Sequence, residues 1–306
     1  MFDTVNFWID RAEVSEGNPF GLMPYLSEIT ERQNEKTGYS CSGKIGDYKV
    51  NIFDYGVYLN GSLAKYFLPS NVYTLTRSAT QQAIEQLSDH LHTDIRRAIV
   101  KRADVSTIIP TKHSPSDYYC YLGEKTFFKR LHAAETSLYY NTSQRQLIFY
   151  DKVKECNKKG VSIPPSLEGN ILRYELRFLQ NLDRQLKTEV TGKTLYNEDF
   201  YYSIIQYWYN EFKSIQKLKK EGIMIDDVNN KKDAKEAAFA YLLQKEQGFI
   251  DWYIRELKAA KRFKNRSDYT KLKTELSKIN VAKNGNNNEM IKELEDAVFR
   301  VSMYAR

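Results

Sequence analysis

The stretch AIVKRADVSTIIP, residues 98–110, alternates polar and apolar side chains along a run rich in β-branched residues. This period of two is typical of a β-strand whose two faces meet different environments. One predicted face carries three polar side chains: Arg102, Asp104 and Ser106. We expect the strand to stop at Pro110, because proline has no N–H to donate to a neighbouring strand.

A second strand of the same kind is predicted at ILRYELRFL, residues 171–179. Its alternation separates an apolar face from three charged residues: Arg173, Glu175 and Arg177. If the two strands share a sheet and face the same side, Asp104 and Glu175 form a pair of carboxylates. Such oxygen ligands suit a hard divalent cation such as Mg²⁺ or Mn²⁺. A solvated face with surface ion pairs has the same spacing, so spacing alone leaves both interpretations open.

A third strand is predicted at QRQLIFYDKVKE, residues 144–155, which runs from an apolar segment into charges. Continued alternation places Tyr150 and Lys152 on one face and Asp151 on the other. A phenol titrates at about pH 10, so a nucleophilic tyrosine needs a nearby cation or a metal-activated phosphorus. With 23 tyrosines in the chain, a purely structural role for Tyr150 is the alternative.

Outward from these strands, the sequence up to about residue 180 predicts mostly strands. DYKVNIFDYGVYLNG, residues 47–61, is typical of a hairpin. An amphipathic helix is predicted over residues 76–98, with Ser78 as its N-cap, and a short helix near residues 114–123. We therefore predict an α+β fold, in which helices lie on one face of an antiparallel sheet.

The C-terminal part has a different character, with long helical patterns over residues 197–222 and 234–263. A last helix is expected after a linker at residues 280–288. We predict two domains, a catalytic domain at residues 1–190 and a helical basic region at residues 191–306.

Positive charge is concentrated in the C-terminal third, where residues 211–306 hold 21 Lys and Arg against 15 Asp and Glu. The run at residues 255–278 contains nine basic and three acidic residues. A basic segment of this kind suits the phosphates of DNA. A solvated helical face gives the same count, so this alternative stays open.

Other signals bound the function class. No apolar run approaches the roughly 18 residues that span a bilayer, so we expect a cytoplasmic protein without membrane association. Three widely spaced cysteines predict free thiols. The chain has no GxxxxGK(S/T) phosphate loop, so any unwinding of a duplex is expected to require a separate helicase.

The four histidines provide at most a partial metal site. His90 and His92 have the spacing of a His-hydrophobic-His motif, but residues two apart on a helix point about 200° apart. We therefore interpret both as surface or structural residues. His113 and His132 lie in turn-rich sequence, and either could add one nitrogen ligand, with His132 preferred.

Three motifs in this order, KRADVS, LIFYDKVKE and LRYELRF, resemble the core motifs of rolling-circle replication initiators of the filamentous-phage type. GSLAKYFLPSNVYTL, residues 61–75, is similar to the segment before the first helix of that family. The resemblance covers about residues 1–210.

The resemblance implies that Tyr150 is the nucleophile that cuts one DNA strand, with Lys152 beside it, and that Asp104 and Glu175 hold Mg²⁺ or Mn²⁺. It further implies a hairpin or single-stranded origin as DNA partner, a 5′-phosphotyrosine and a 3′-hydroxyl primer. Two alternatives remain at this stage: a mobilisation relaxase with the same chemistry and a non-catalytic origin-binding protein.

Overall fold

Within the part of the chain that the structure describes, ten antiparallel strands form one sheet and carry the three predicted motifs. The computed structural model describes residues 1–35, 38–133, 136–167, 169–218, 230–246, 248–282 and 289–304. The strands are β1 (Phe2–Asp10), β2 (Ser27–Asn34), β3 (Gly38–Ile45), β4 (Tyr48–Phe53), β5 (Gly56–Asn60), β6 (Ile99–Thr111), β7 (Lys129–Ala133), β8 (Ser137–Asn141), β9 (Arg145–Asp151) and β10 (Asn170–Phe178). The predicted hairpin is β4–β5.

The strand order is β2-β3-β4-β5-β1-β6-β10-β9-β8-β7, so the three motif strands β6, β10 and β9 are neighbours. Glu175 pairs with Ser106 on one side and with Ile148 on the other. Arg177 pairs with Asp104, and Arg173 pairs with Tyr150. The register therefore brings the charged residues of β6 and β10 and the tyrosine of β9 to one face.

Helices connect several of the strands and dominate the C-terminal part. They are α1 (Leu63–Phe67), α2 (Arg77–Leu91), α3 (Pro115–Tyr119), α4 (Lys152–Lys159), α5 (Leu182–Leu186), α6 (Glu198–Lys213), α7 (Lys231–Lys245), α8 (Phe249–Ala259), α9 (Arg266–Ala282) and α10 (Glu289–Tyr304). Together with the sheet they confirm the predicted α+β class. Among the described helices, none is both long and apolar enough to cross a membrane.

The apolar face of β9 and β10 forms the core with α6. Tyr174 stacks on Phe149 at a ring-centroid distance of 4.5 Å, and its hydroxyl donates to the carbonyl of Trp208. The buried residues of α6 recur at helical spacing: Tyr201, Ile204, Ile205, Trp208 and Phe212. Each such side chain contributes about 1.5–3 kcal/mol when it is fully buried. This packing fixes β9 and β10 and leaves their polar side chains on the opposite face.

The chain divides into two compact units. The first consists of Met1–Tyr119, Glu124–Gln216 and Glu293–Arg306, and the second of Cys120–Gly123 and Lys217–Lys292. The first unit contains the whole sheet. The second contains α7, α8 and α9. The division into a nicking domain at 1–190 and a basic region at 191–306 assigns roles and stays a prediction. Most of the predicted linker, residues 283–288, lies outside the described residues.

Four local predictions need correction. Helix α2 is capped by Thr76, whose Oγ1 accepts from the N–H of Ala79, and not by Ser78. Pro110 lies inside β6; β1 pairs only as far as Val105, so Pro110 faces one neighbouring strand and its missing N–H is tolerated.

The other two corrections concern strand and helix ends. The third motif strand ends at Asp151, and Lys152 begins α4. The helical pattern at 234–263 is divided by Gly248, whose φ of +87° lies in the left-handed region, into α7 and α8.

Candidate functional site

Tyr150 lies near the end of β9 and is half-buried. Its hydroxyl donates a 2.7 Å hydrogen bond to Oε1 of Glu175 on the neighbouring strand β10. Glu175 is 2% exposed. The two residues belong to adjacent strands and point to the same face, so the sheet itself sets their separation.

An alternating ladder of charges surrounds this bond. It runs Asp3, Arg173, Glu175, Arg177, Asp104 and Arg102, with neighbouring ionic atoms 2.6–3.4 Å apart. Three carboxylates thus alternate with three guanidinium groups across β1, β10 and β6. Alternation of this kind offsets much of the desolvation cost of burying each charge.

Arg173 is the buried centre of the ladder, with no exposed surface. Its Nη2 donates to Asp3 and to the hydroxyl of Ser106, and its Nε donates to Glu175. Its Nη1 donates to the carbonyls of Asn71 and Val72. These bonds tie the polar sheet face to β1 and to the loop before α2.

Arg177 lies between the two predicted metal ligands. Its Nε is 2.9 Å from Oε2 of Glu175 and 3.4 Å from Oδ2 of Asp104. Arg102 binds the other side of Asp104 with a bidentate pair of bonds of 2.8 and 2.9 Å. A guanidinium therefore takes the place between the carboxylates that a divalent cation would need.

The donor set does not fit a metal ion in this arrangement. Both carboxylates already accept from arginines, and placing Mg²⁺ or Mn²⁺ beside Arg177 would set two positive charges against each other. Among the described residues, no group of three or more His, Cys, Asp or Glu is arranged to hold a metal. The assignment of Asp104 and Glu175 as ligands stays a prediction, and it requires Arg177 to move.

Burial and charge shift the titration of these groups in different directions. Burial raises the pKa of Tyr150 well above its ordinary value; the carboxylates of Glu175 and Glu155 add to this shift, and the charge of Arg173 opposes it. Burial also raises the pKa of Asp104, despite its bonds to Arg102. Burial alone would raise the pKa of Glu175, but the charges of Arg173 and Arg177 hold it below its ordinary value. Glu175 is therefore an ionised acceptor for the Tyr150 proton.

Lys152 lies beside Tyr150 although it belongs to a helix. Its Nζ is 6.0 Å from the centroid of the Tyr150 ring and donates to Glu155 and Asn71. Burial and the charge of Arg173 lower the pKa of Lys152, and Glu155 opposes this shift. Tyr150 and Lys152 therefore lie close together, as predicted. Lys152 reaches this position because α4 begins there, and not through the strand alternation that we expected.

Asp151 has a structural role on the other side of the strand. Its Oδ1 accepts a 3.0 Å bond from the N–H of Lys154 and caps α4. Capping carboxylates also favour the positive end of a helix dipole. The signal for this boundary was present in the sequence as an aspartate followed by a helical run that ends at Gly160.

The histidines lie at other places in the fold. His90 lies in the last turn of α2, and its Nδ1 forms a hydrogen bond with the hydroxyl of Tyr66. His92 follows in the left-handed region and stacks on Tyr25. His113 lies near Tyr118, and His132 packs edge-on against Tyr119. By register with Leu138 and Phe149, His132 faces away from Tyr150.

The prediction that the cysteines are thiols is confirmed, because no disulfide joins Cys41, Cys120 or Cys156.

In the second unit, the basic run is exposed along α8 and the turn that follows it. Trp252 and Tyr253 are exposed on the same helix, at 48% and 37%. The arrangement is compatible with DNA binding and equally with a solvated helical face.

Two residues of the site were missed from the sequence, and the position of a third was not predicted. Asp3 and Asn71 come from segments far along the chain, and only the folded register reveals that they bind Arg173 and Lys152. Arg177 was noted as a flanking charge, but its position between two carboxylates depends on the pairing of β6 with β10. A strand pattern with three polar residues on one face was the available signal.

The three motif strands lie within a region that matches a family of phage replication proteins. The phage CRI family, described as the N-terminal part of a replication-associated protein, matches residues 1–201, and the chain belongs to this family. The match supports a role in the initiation of phage DNA replication. No curated protein matches the chain.

Proposed function

We propose that this protein initiates replication by nicking one DNA strand with Tyr150 as the nucleophile. The phenolic oxygen attacks the phosphorus of a phosphodiester, and the bond from phosphorus to the 3′-oxygen of the preceding nucleotide breaks. The products are a 5′-phosphotyrosine and a free 3′-hydroxyl that can prime synthesis. The reverse reaction rejoins the strand without ATP, because the covalent link keeps the phosphodiester energy.

The observation that carries this proposal is the bond from Tyr150 to Glu175. In the attack, the phenolic proton passes to the carboxylate along this 2.7 Å contact, and the leaving 3′-oxygen takes up a proton. The low pKa of Glu175 makes it a weak base for this proton. The guanidinium of Arg177 lies partly exposed beside Glu175 and supplies positive charge for the oxyanion that develops during the attack. Lys152 adds a second cation next to the Tyr150 ring.

Metal dependence is a separate proposal. Asp104 and Glu175 would hold Mg²⁺ or Mn²⁺ only after Arg177 leaves the space between them, so we derive no step of the reaction through the ion. The remaining partner is a separate helicase, which the proposal requires because the sequence has no phosphate loop of the ATP-hydrolysing type.

A second candidate is a non-catalytic origin-binding protein. It is favoured by one observation, the raised pKa of Tyr150, which makes its phenolate harder to form than that of an ordinary tyrosine. A mobilisation relaxase shares the nicking chemistry and differs only in the DNA it acts on.

The test is to incubate the protein with single-stranded or supercoiled origin DNA and Mn²⁺, and to resolve covalent adducts on a denaturing gel. We expect an adduct with the wild type and none with Tyr150→Phe. The matched control is Tyr55→Phe, since Tyr55 is 61% exposed on the β4–β5 turn. A wild type that forms no adduct favours the origin-binding protein, whereas a Tyr150→Phe variant that forms as much adduct as the wild type assigns the nucleophile to another residue.

A further inference from the structure

The sheet face that carries Tyr150 continues outward across β8 and β7 to one end of the strand order. Register pairs Lys129 with Asn141, and Asn141 with Gln146. In the adjacent row, Leu131 pairs with Tyr139, and Tyr139 with Ile148. We call five of these residues the outer sheet face: Lys129, Leu131, Tyr139, Asn141 and Gln146.

This outer sheet face is open to solvent. Lys129 and Leu131 are exposed, the latter at 49%. The other three are half-buried, whereas the alternate residues Leu138 and Tyr140 are fully buried on the opposite face. Tyr139 is a half-exposed aromatic residue with a basic neighbour and amide neighbours. These side chains offer more binding groups than a sheet face requires if it contacts only water.

A row of hydrogen bonds connects the outer sheet face to the charge ladder. Nη1 of Arg177 donates to Oε1 of Gln146 at 3.3 Å, and Nε2 of Gln146 donates to Oδ1 of Asn141 at 2.6 Å. Lys129 is the cross-strand partner of Asn141, so an ammonium side chain and an amide side chain leave the same face from neighbouring strands about 4.8 Å apart. An amide donor next to an ammonium is a suitable contact for a phosphate oxygen.

Tyr139 lies diagonally across from Tyr150. Ser137 pairs with Tyr150, and Tyr139 is two residues further along the same strand and on the same face. Diagonal neighbours of this kind are separated by roughly 7–8 Å. A base that stacks on Tyr139 would therefore belong to a nucleotide close to the phosphate held at Tyr150.

We propose that the outer sheet face binds the single-stranded DNA that flanks the cleavage site, with a base on Tyr139 and a phosphate at Lys129 and Asn141. The proposal rests on the proposed nicking function, because the cleaved phosphate at Tyr150 sets where the DNA strand reaches this face. The choice of DNA as the ligand rests on charge complementarity with Lys129. Stacking on an aromatic residue requires unpaired bases, so the surface favours a single strand over a duplex.

The experiment measures the anisotropy of a fluorescent oligothymidine and of a duplex of equal length at several salt concentrations. All variants are made on a Tyr150→Phe background, so cleavage does not enter. Tyr139→Ser is expected to weaken single-strand binding about fivefold to 150-fold, and Tyr139→Phe to bind normally. Lys129→Gln should reduce the salt slope by about 0.7, while Lys49→Gln, on the exposed side of β4, leaves it unchanged.

The outcomes separate this proposal from nicking itself. Normal single-strand binding by Tyr139→Ser and Lys129→Gln overturns the proposal and leaves the face to a protein partner. An equal loss of duplex binding overturns the preference for a single strand. If the wild type forms covalent adducts and these variants bind normally, only the proposed path of the DNA over the outer sheet face is refuted. If the variants bind less tightly and the wild type forms no adduct, only the nicking function is refuted.

Discussion

The hydroxyl of Tyr150 on β9 donates its hydrogen bond to a carboxylate, Glu175, that two arginines keep ionised on the neighbouring strand. The contact places a proton acceptor on the proposed nucleophile before any substrate binds. It also uses one of the two oxygens of Glu175, while Arg177 binds the other. The predictions below concern this contact and the groups that support it.

Glu175→Gln should slow adduct formation about 100-fold to 10,000-fold, because the amide cannot accept the proton of Tyr150 as a base. The measurement is the initial rate of adduct formation at saturating single-stranded DNA. Glu28→Gln, which alters an exposed ion pair with Lys44, is the control and should keep the wild-type rate. An unchanged rate in Glu175→Gln would show that the proton goes elsewhere.

Arg177→Met should strengthen the binding of a divalent cation at Asp104 and Glu175. Without the guanidinium, Oε2 of Glu175 loses its hydrogen-bond donor and Asp104 keeps only Arg102, so Mn²⁺ would relieve the repulsion between the two carboxylates. Titration calorimetry with Mn²⁺ should therefore show tighter binding to the variant than to the wild type. Tight binding to the wild type that Asp104→Asn abolishes would instead show that Arg177 moves aside and that the carboxylates are ligands.

Arg173→Met should lower the free energy of unfolding by about 3–5 kcal/mol, since it leaves buried carboxylates without their cation. Urea denaturation at neutral pH measures the change. Arg96→Met is the control, because the pair of Arg96 with Asp94 is largely exposed and is worth about 0–1 kcal/mol. Comparable losses in the two variants would contradict the central position of Arg173.

The stability that Glu175 provides should depend on pH. Its folded pKa lies below its unfolded value of about 4.5, so its contribution is complete above that pH and is lost as the pH falls through the folded pKa. The difference in free energy of unfolding between wild type and Glu175→Gln should therefore shrink below about pH 4.5. A constant difference in the free energy of unfolding across the acidic range would show that Arg173 and Arg177 do not lower the folded pKa of Glu175.

Asp151→Ala should destabilise the protein by about 1 kcal/mol through loss of the α4 cap, whereas Asp151→Asn should retain most of the stability. Thermal unfolding compares the two variants. Both should still form the covalent adduct, because Asp151 faces away from Tyr150. Loss of adduct in Asp151→Asn with normal stability would assign it a role in the reaction.

Local pattern was sufficient for part of this architecture. Alternation in the three motifs placed Asp104, Glu175 and Tyr150 on defined faces, and composition predicted the change from sheet to helices. Strand order could not be predicted in this way, because β10 pairs with β6 across a long intervening stretch of chain and nothing in either strand specifies its partner.

The start of α4 was missed for a different reason. Alternation continues through Lys152, and the boundary depends on Asp151 turning its carboxylate to the N–H of Lys154. The position of Arg177 between two acids follows from cross-strand register alone. Residues such as Asp3 and Asn71, which complete the ladder and hold Lys152, become neighbours of the site only through tertiary packing.

Mass spectrometry of the covalent adduct tests the central claim most directly. Cleavage after Arg145 and Lys152 releases residues 146–152, QLIFYDK, whose single tyrosine is Tyr150. After nuclease trimming, we expect this peptide to carry the mass of the attached nucleotide. A nucleotide found on any other tyrosine-containing peptide, with residues 146–152 unmodified, would contradict the assignment of Tyr150 as the nucleophile.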